Sequence, residues 1–223
     1  QQMFRNSRYQ IAPGYNREDF KALLGSLSRD EGPVSYYLKE DTTTSVWCTE
    51  FDGRMIVVKR YNTKNPWHAV RRAFRVSRAD NCWQMSHAFN RAGIRTPANV
   101  AVIQEWFGPF KGRSWYLCEY VSSDTLIDHL SDGNSAPGDL NPIVSDIRAV
   151  FSNLKNALLS HGDFKASNIL LSPSGLWLID LDAARKHRNS KSFDRAYQKD
   201  RNRFLKNWAG NTQLHQLFKN SLG

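Results

Sequence analysis

Residues 161–168 read His-Gly-Asp-Phe-Lys-Ala-Ser-Asn, and residues 178–180 read Leu-Ile-Asp. Between them lie two short apolar runs, 169–171 and 176–179, separated by Ser172-Pro173-Ser174-Gly175, a composition that turns a chain back on itself. Two short strands are therefore predicted, with Asp180 returned to the neighbourhood of Asn168. A lone His-Gly-Asp is ordinarily a turn, so the order of the pieces carries the signal.

Working outward, Ile143, Ile147, Val150, Phe151, Leu154 and Leu158 recur at helical spacing, with Asn141 expected as N-cap and Pro142 at the first helical position. Downstream, Tyr197, Phe204, Leu205 and Trp208 predict a last amphipathic helix before Gly210. The N-terminal part reads mostly as sheet. Segments 44–49 and 54–61 are rich in β-branched and aromatic residues and are joined by Glu50-Phe51-Asp52-Gly53, a hairpin signal that places Lys59 on the second strand. Cys82, Met85, Phe89 and Ala92 mark one helix over 80–92, stopped by Gly93 and Pro97. Strands are expected at 99–104 and 114–121, around Gly108, Pro109 and Gly112.

The 223-residue chain has room for one substantial core or two small lobes, and its formal charge of +10 implies an anionic partner. Cys48, Cys82 and Cys118 are widely spaced without a CxxC pair, which argues against disulfides or a thiolate metal site. No run approaches the roughly 18 apolar residues of a membrane span, and the polar stretch from Gln1 to Gln10 lacks the pattern of a signal peptide. A cytoplasmic location is expected.

A strand lysine in Ile56-Val57-Val58-Lys59, then 161–168, then 178–180, follow the order and spacing of the kinase fold, and over roughly 40–210 the chain resembles the bacterial lipopolysaccharide core kinases that act on heptose or Kdo. Val58-Lys59-Arg60-Tyr61-Asn62, Trp67-His68-Ala69 and Ala92-Gly93-Ile94-Arg95-Thr96-Pro97 add to that likeness. The resemblance implies an α+β, two-lobed protein-kinase-like fold, with a sheet-rich N-lobe over 1–121, a reduced helical C-lobe over 122–223, and ATP with Mg²⁺ in the cleft. Phosphoryl transfer asks a protein mainly to position phosphates and neutralise charge. By similarity, Lys59 would hold the α- and β-phosphates, Asp163 would accept or orient the acceptor's hydroxyl proton, Lys165 would approach the transferred phosphate, and Asn168 and Asp180 would bind Mg²⁺. Backbone groups of Glu119 and Val121 would meet adenine, with Cys118 at the gatekeeper position and Leu170 lining the nucleotide site; Thr43, Thr44, Ser45 and Val46 would cover the phosphates with hydroxyls or amides. His161 would prop the loop. The partners implied are the lipopolysaccharide core or its lipid-linked precursor and the anionic inner-membrane surface, with the protein peripheral to that membrane and without nucleic acid.

The chain departs from the kinase pattern in several places. Asp41-Thr42-Thr43-Thr44-Ser45 stands where a glycine-rich loop is usual, and between Arg60 and Gln104 the only acid is Asp80, a stand-in for the glutamate that usually pairs with the strand lysine. Asp182 replaces the glycine of Asp-Phe-Gly and is either a second metal ligand or part of a capped turn. Only 43 residues follow Asp180, too few for a peptide-binding platform. An aminoglycoside- or choline-type phosphotransferase is the enzyme alternative, although acidic sites for cationic acceptors fit a basic chain poorly. A pseudokinase that binds lipopolysaccharide or a protein without turnover is the alternative from another class. Lys64, Arg71, Arg72, Arg75 and Arg78, interleaved with Trp67, Val70 and Phe74, are expected to hold an anionic acceptor or the membrane surface.

Overall fold

A computed structural model describes residues 6–62, 76–131 and 140–222. The chain divides into two compact units, one of residues 1–83 with 98–120 and one of residues 84–97 with 121–223. A single boundary at Val121 is expected from the sequence, whereas residues 84–97, the end of a helix and the loop after it, group with the second unit. The basic stretch from Lys64 to Arg75 lies outside the described residues.

The first unit is a six-stranded antiparallel sheet. Its strands are β1 (Asn6–Ile11), β2 (Tyr36–Glu40), β3 (Thr44–Phe51), β4 (Arg54–Tyr61), β5 (Asn99–Phe107) and β6 (Phe110–Glu119), ordered β1-β5-β6-β4-β3-β2. Asp52 and Gly53 make the β3–β4 turn, both at positive φ (52° and 68°), as the right-handed twist of a two-residue hairpin requires. Strands β5 and β6 run longer than expected and close on Gly108-Pro109, while β6 stops at Glu119 rather than Val121. Helix α1 (Arg17–Ser28), not among the elements expected from the sequence, covers one sheet face. Asn16 caps it by accepting from the amides of Glu18 (2.9 Å) and Asp19 (3.3 Å), and Phe20, Leu23 and Leu27 recur on its buried side. These three pack on Trp47, Ile56, Val58 and Trp115, each worth roughly 1.5–3 kcal/mol when fully buried. Helix α2 (Arg78–Arg91) opens with a capping box in which the Ser77 hydroxyl donates to Asp80 (2.8 Å) and accepts from its amide (3.1 Å).

The second unit is mainly helical: α3 (Leu126–Ser131), α4 (Asn141–Ala157), α5 (Ser190–Lys206) and α6 (Thr212–Ser221). Two small sheets stitch its loops together: a three-stranded one in which β9 (Ile169–Ser172) lies between β7 (Asp124–Thr125) and β10 (Gly175–Leu178), and a two-stranded one of β8 (Leu159–Ser160) and β11 (Arg185–Lys186). The N-cap of α4 is Leu140, not Asn141; Asn141 is its first helical residue and the cap has no side-chain bond. The core of this unit is aromatic, with Phe164 packed on Phe151 (4.6 Å between ring centres) and Phe204 (5.8 Å), and Phe204 on Phe218 (4.9 Å). No helix among the described residues is long and apolar enough to cross a membrane. The three cysteines are buried and free.

Glu105 is fully buried on β5 and is met by the Arg113 fork, Nε at 3.0 Å and Nη2 at 3.1 Å. Arg113 also holds Asp30 (2.6 Å) and the Ser28 carbonyl (2.8 Å), tying the end of α1 to the sheet. Arg113→Met should therefore cost about 3–5 kcal/mol, because it removes the bidentate cation from a buried carboxylate. Adding Glu105→Leu should recover part of that loss. Urea denaturation checks both, and a single change costing under about 1 kcal/mol would contradict this role for the pair.

Candidate active site

Each unit contributes its own set of the residues singled out above. In the first, strand register decides which side chains share a face with Lys59. Lys59 lies opposite Val46 on β3 and Tyr116 on β6, and Val57 opposite Cys118, so Thr44, Val46, Val57, Lys59, Tyr116 and Cys118 share one side of the sheet. Burial pushes the Cys118 thiol up to about 12, against the pull of the Lys59 charge. Ser45 alternates to the opposite face, where its buried hydroxyl accepts from Arg60 (3.3 Å). Of the four residues expected over the phosphates, Ser45 thus directs its side chain elsewhere.

The tip of the β2–β3 hairpin is organised by Asp41. One carboxylate oxygen accepts from the Thr43 amide (2.7 Å), the Thr43 hydroxyl (2.8 Å) and the Thr44 amide (2.8 Å). Those bonds, the Thr43 hydroxyl first, hold the Asp41 carboxyl below the usual carboxylate range. The loop is therefore shaped by a carboxylate where a glycine-rich loop relies on backbone freedom, and the two amides expected to face phosphate are engaged by Asp41.

Glu119 bonds through its amide to the Ala98 carbonyl (2.9 Å), so an adenine contact there falls to its own carbonyl. Its side chain accepts from Tyr15 (2.7 Å) and Arg54 (2.7 Å) on the α1 side. The Tyr15 hydroxyl bond, then Arg54, holds the Glu119 carboxyl below its ordinary value, while burial and that carboxylate push Tyr15 up to about 12. Val121 is where the second unit resumes. Asp80, the expected partner for Lys59, is engaged by Ser77 in the capping box of α2.

In the second unit the geometry of the 161–168 loop is fixed by a residue that the motifs of the sequence do not include. Asp200 of α5, 2% exposed, accepts from the amides of His161 (2.7 Å) and Gly162 (2.9 Å). The signal was present in the sequence: Asp200 falls three residues after Tyr197 and four before Phe204, an acid on an otherwise apolar helical face. Gly162 sits at φ +82°, and a Cβ there would come within 2.5 Å of the Ala183 carbonyl. The buried His161 points Nε2 at the Ile179 carbonyl (3.0 Å), which only an N–H satisfies, leaving Nδ1 to accept from the Asp163 amide (3.4 Å). Burial lowers the pKa of His161 and raises that of Asp200. His161 is thus a neutral prop between the two loops.

Asp163, half-buried, then presents its carboxylate between two cations. Lys165 Nζ lies 3.3 Å from Oδ2 and Arg203 of α5 lies 3.0 Å from Oδ1. Asn168 donates from Nδ2 to the Asp163 carbonyl (3.0 Å) and to Oδ2 (3.4 Å), which turns its own Oδ1 the other way, as a cation ligand requires. The β9–β10 register continues through the Ile179 amide to the Asn168 carbonyl (3.0 Å), so Asp180 follows directly. Asp180 adopts the left-handed conformation (φ 64°, ψ 57°), which an aspartate accepts more readily than most residues. One amide oxygen and one carboxylate fit Mg²⁺, which takes few protein ligands and completes its shell with waters and phosphates. Asp182 lies in the following 3₁₀ turn, Leu181–Ala183, and Leu170 sits half-buried on β9 opposite Trp177. The second unit thus brings Asp163, Lys165, Asn168 and Asp180 together.

A model of the lipopolysaccharide kinase (Kdo/WaaP) family matches residues 36–219. A solved structure described as WaaP in complex with acyl carrier protein superposes with a TM-score of 0.68 at 18% identity, covering 96% of this chain and 88% of that one. The two share a fold. No curated protein matches the sequence significantly.

A histidine whose folded pKa lies below its unfolded value contributes stability that is complete above about pH 6.5 and lost as pH falls toward the folded pKa. Stability should therefore fall on acidification below about pH 6.5, with a slope of at most about 1.4 kcal/mol per pH unit from this group. His161→Gln should flatten that slope in urea titrations at pH 5 to 7. A slope unchanged by the substitution would show that other groups set it.

Proposed function

We propose that this chain, which belongs to the lipopolysaccharide kinase (Kdo/WaaP) family, transfers the γ-phosphate of ATP to a hydroxyl of a heptose or Kdo in the lipopolysaccharide inner core. The observation that carries the proposal is the constellation within 3.4 Å of the Asp163 carboxylate: Lys165, Asn168 and Arg203, on a loop fixed from beneath by Asp200. Asp163 takes or orients the acceptor's hydroxyl proton as that oxygen forms its bond to the γ-phosphorus. The bond from the γ-phosphorus to the β,γ-bridging oxygen breaks and ADP leaves. Lys59 holds the α- and β-phosphates, and Lys165 leaves Asp163 to meet the transferring phosphoryl group, where a cation stabilises the charge of the transition state. Asn168 and Asp180 would hold Mg²⁺, which when bound screens charge on the phosphates. Backbone groups of Glu119 and Val121 would receive adenine, and Val46, Cys118 and Leu170 are the side chains expected to line the nucleotide. A net charge of +10 supports work at the anionic cytoplasmic face of the inner membrane.

One observation favours the reading as a binding protein without turnover: Asp41 engages the Thr43 and Thr44 amides and Ser77 engages Asp80, so two accessory parts of a kinase are used structurally. Mg²⁺-dependent turnover separates the two readings. The protein, incubated with ATP, Mg²⁺ and dephosphorylated core acceptor, should give new phosphomonoester signals by phosphorus NMR. Asp163→Ala should lower kcat by about 10²- to 10⁴-fold while leaving ATP bound. Asp180→Asn should raise the Mg²⁺ concentration needed for half-maximal rate more than Asp182→Asn does. Absence of any Mg²⁺-dependent transfer by the unaltered protein would sink the proposal.

A further inference from the structure

Arg203 lies on α5, three residues beyond the buried Asp200 that fixes the loop and on the exposed side of the same helix. Among the described residues its guanidinium contacts Asp163 alone, with one nitrogen 3.0 Å from Oδ1 and the side chain 52% exposed. Arg195, Lys199 and Arg203 are spaced four residues apart, and Lys206 stands three further on. All four are exposed, so the helix carries a basic ridge, of which Arg203 touches the carboxylate assigned to the acceptor hydroxyl.

The arrangement contains a conflict. A base needs an oxygen for the acceptor hydroxyl, yet Lys165 and Arg203 each occupy one oxygen of Asp163. Lys165 has an alternative partner in the transferring phosphate. Arg203 has no other partner among the described residues, and its present pair is half-exposed, a class worth little because water and entropy compete with it. A planar guanidinium binds a phosphate or carboxylate through two parallel hydrogen bonds, a stronger and more directional contact. An anionic group beside the reacting hydroxyl would therefore exchange for Asp163 readily, and would free Oδ1 in the same movement.

Resting on the kinase reading above, we infer that Arg203 is a specificity-determining residue that selects an acceptor bearing a phosphate or carboxylate next to the reacting hydroxyl. A neutral sugar leaves the arginine on Asp163. An anionic acceptor draws it off, with the ridge of Lys199 and Lys206 supplying a favourable field. Asp163 becomes competent when the correct acceptor is seated.

The test uses the full chain, Mg²⁺-ATP and three acceptors: a dephosphorylated-site inner-core oligosaccharide that keeps its neighbouring phosphates and carboxylates, the same oligosaccharide after phosphatase treatment, and the same after carboxyl reduction. The unaltered protein should prefer the intact acceptor, and whichever treatment removes that preference identifies the anion read. Arg203→Met should raise the intact acceptor's KM about tenfold or more, change the KM for ATP by less than about twofold, and bring the three acceptors to similar kcat/KM. Arg203→Lys, which keeps the charge and loses the fork, should fall between. A fall in kcat by one common factor for all three acceptors, with KM unchanged, would make Arg203 a mere support for Asp163 and overturn the inference, as would no effect in either variant. Transfer to none of the acceptors by the unaltered protein would overturn the kinase reading itself.

Discussion

The second unit depends on a buried carboxylate. Asp200 receives the amides of His161 and Gly162 at 2.7 and 2.9 Å, in a position almost without solvent. Two backbone donors in a buried turn would otherwise be left unsatisfied, at a cost of about 1–3 kcal/mol each. With them held, Gly162 is fixed at a positive φ against Ala183, His161 spans to the Ile179 carbonyl, and Phe164 enters the aromatic core beside Phe151 and Phe204. Asp163 is left as the one acid of the loop that faces outward. A helix distant in sequence thus sets the direction of a short polar loop.

The two acids on either side of this loop do opposite work because their surroundings differ. Asp200 is almost wholly buried and spends its lone pairs on backbone amides, so it is a fixed structural group. Asp163 is 30% exposed and is paired with flexible cations, Lys165 and Arg203, whose side chains have other places to go. Contacts of the second kind contribute little stability in water. That weakness suits the change of partners that the proposed transfer asks of Asp163.

The first unit reaches a comparable result by alternation. Because successive strand residues point to opposite faces, the β3–β4–β6 register assigns Val46, Lys59 and Tyr116 to one side and Trp47, Val58 and Leu117 to the core under α1. The same rule carries Ser45 away from Lys59 to Arg60. Asp41 closes the neighbouring turn with three bonds to one oxygen, so the loop's order comes from a side chain.

What the sequence determined by itself was local. Asp52-Gly53 declared its hairpin because only certain residues accept two positive φ angles, and the apolar stripe of α4 declared a helix because its period is set by backbone geometry. The order of Lys59, the 161–168 segment and Asp180 pointed to the kinase fold and to the family. Helix α1 is also legible in Asn16 and in the spacing of Phe20, Leu23 and Leu27. Only the tertiary structure could decide that Asp200 supports the loop, that Arg203 reaches Asp163, that Asp80 caps its own helix and that the Thr43 and Thr44 amides belong to Asp41. A side chain's partner depends on which groups burial leaves without water, and that is settled when separate elements pack, not by the residues on either side of it in the chain.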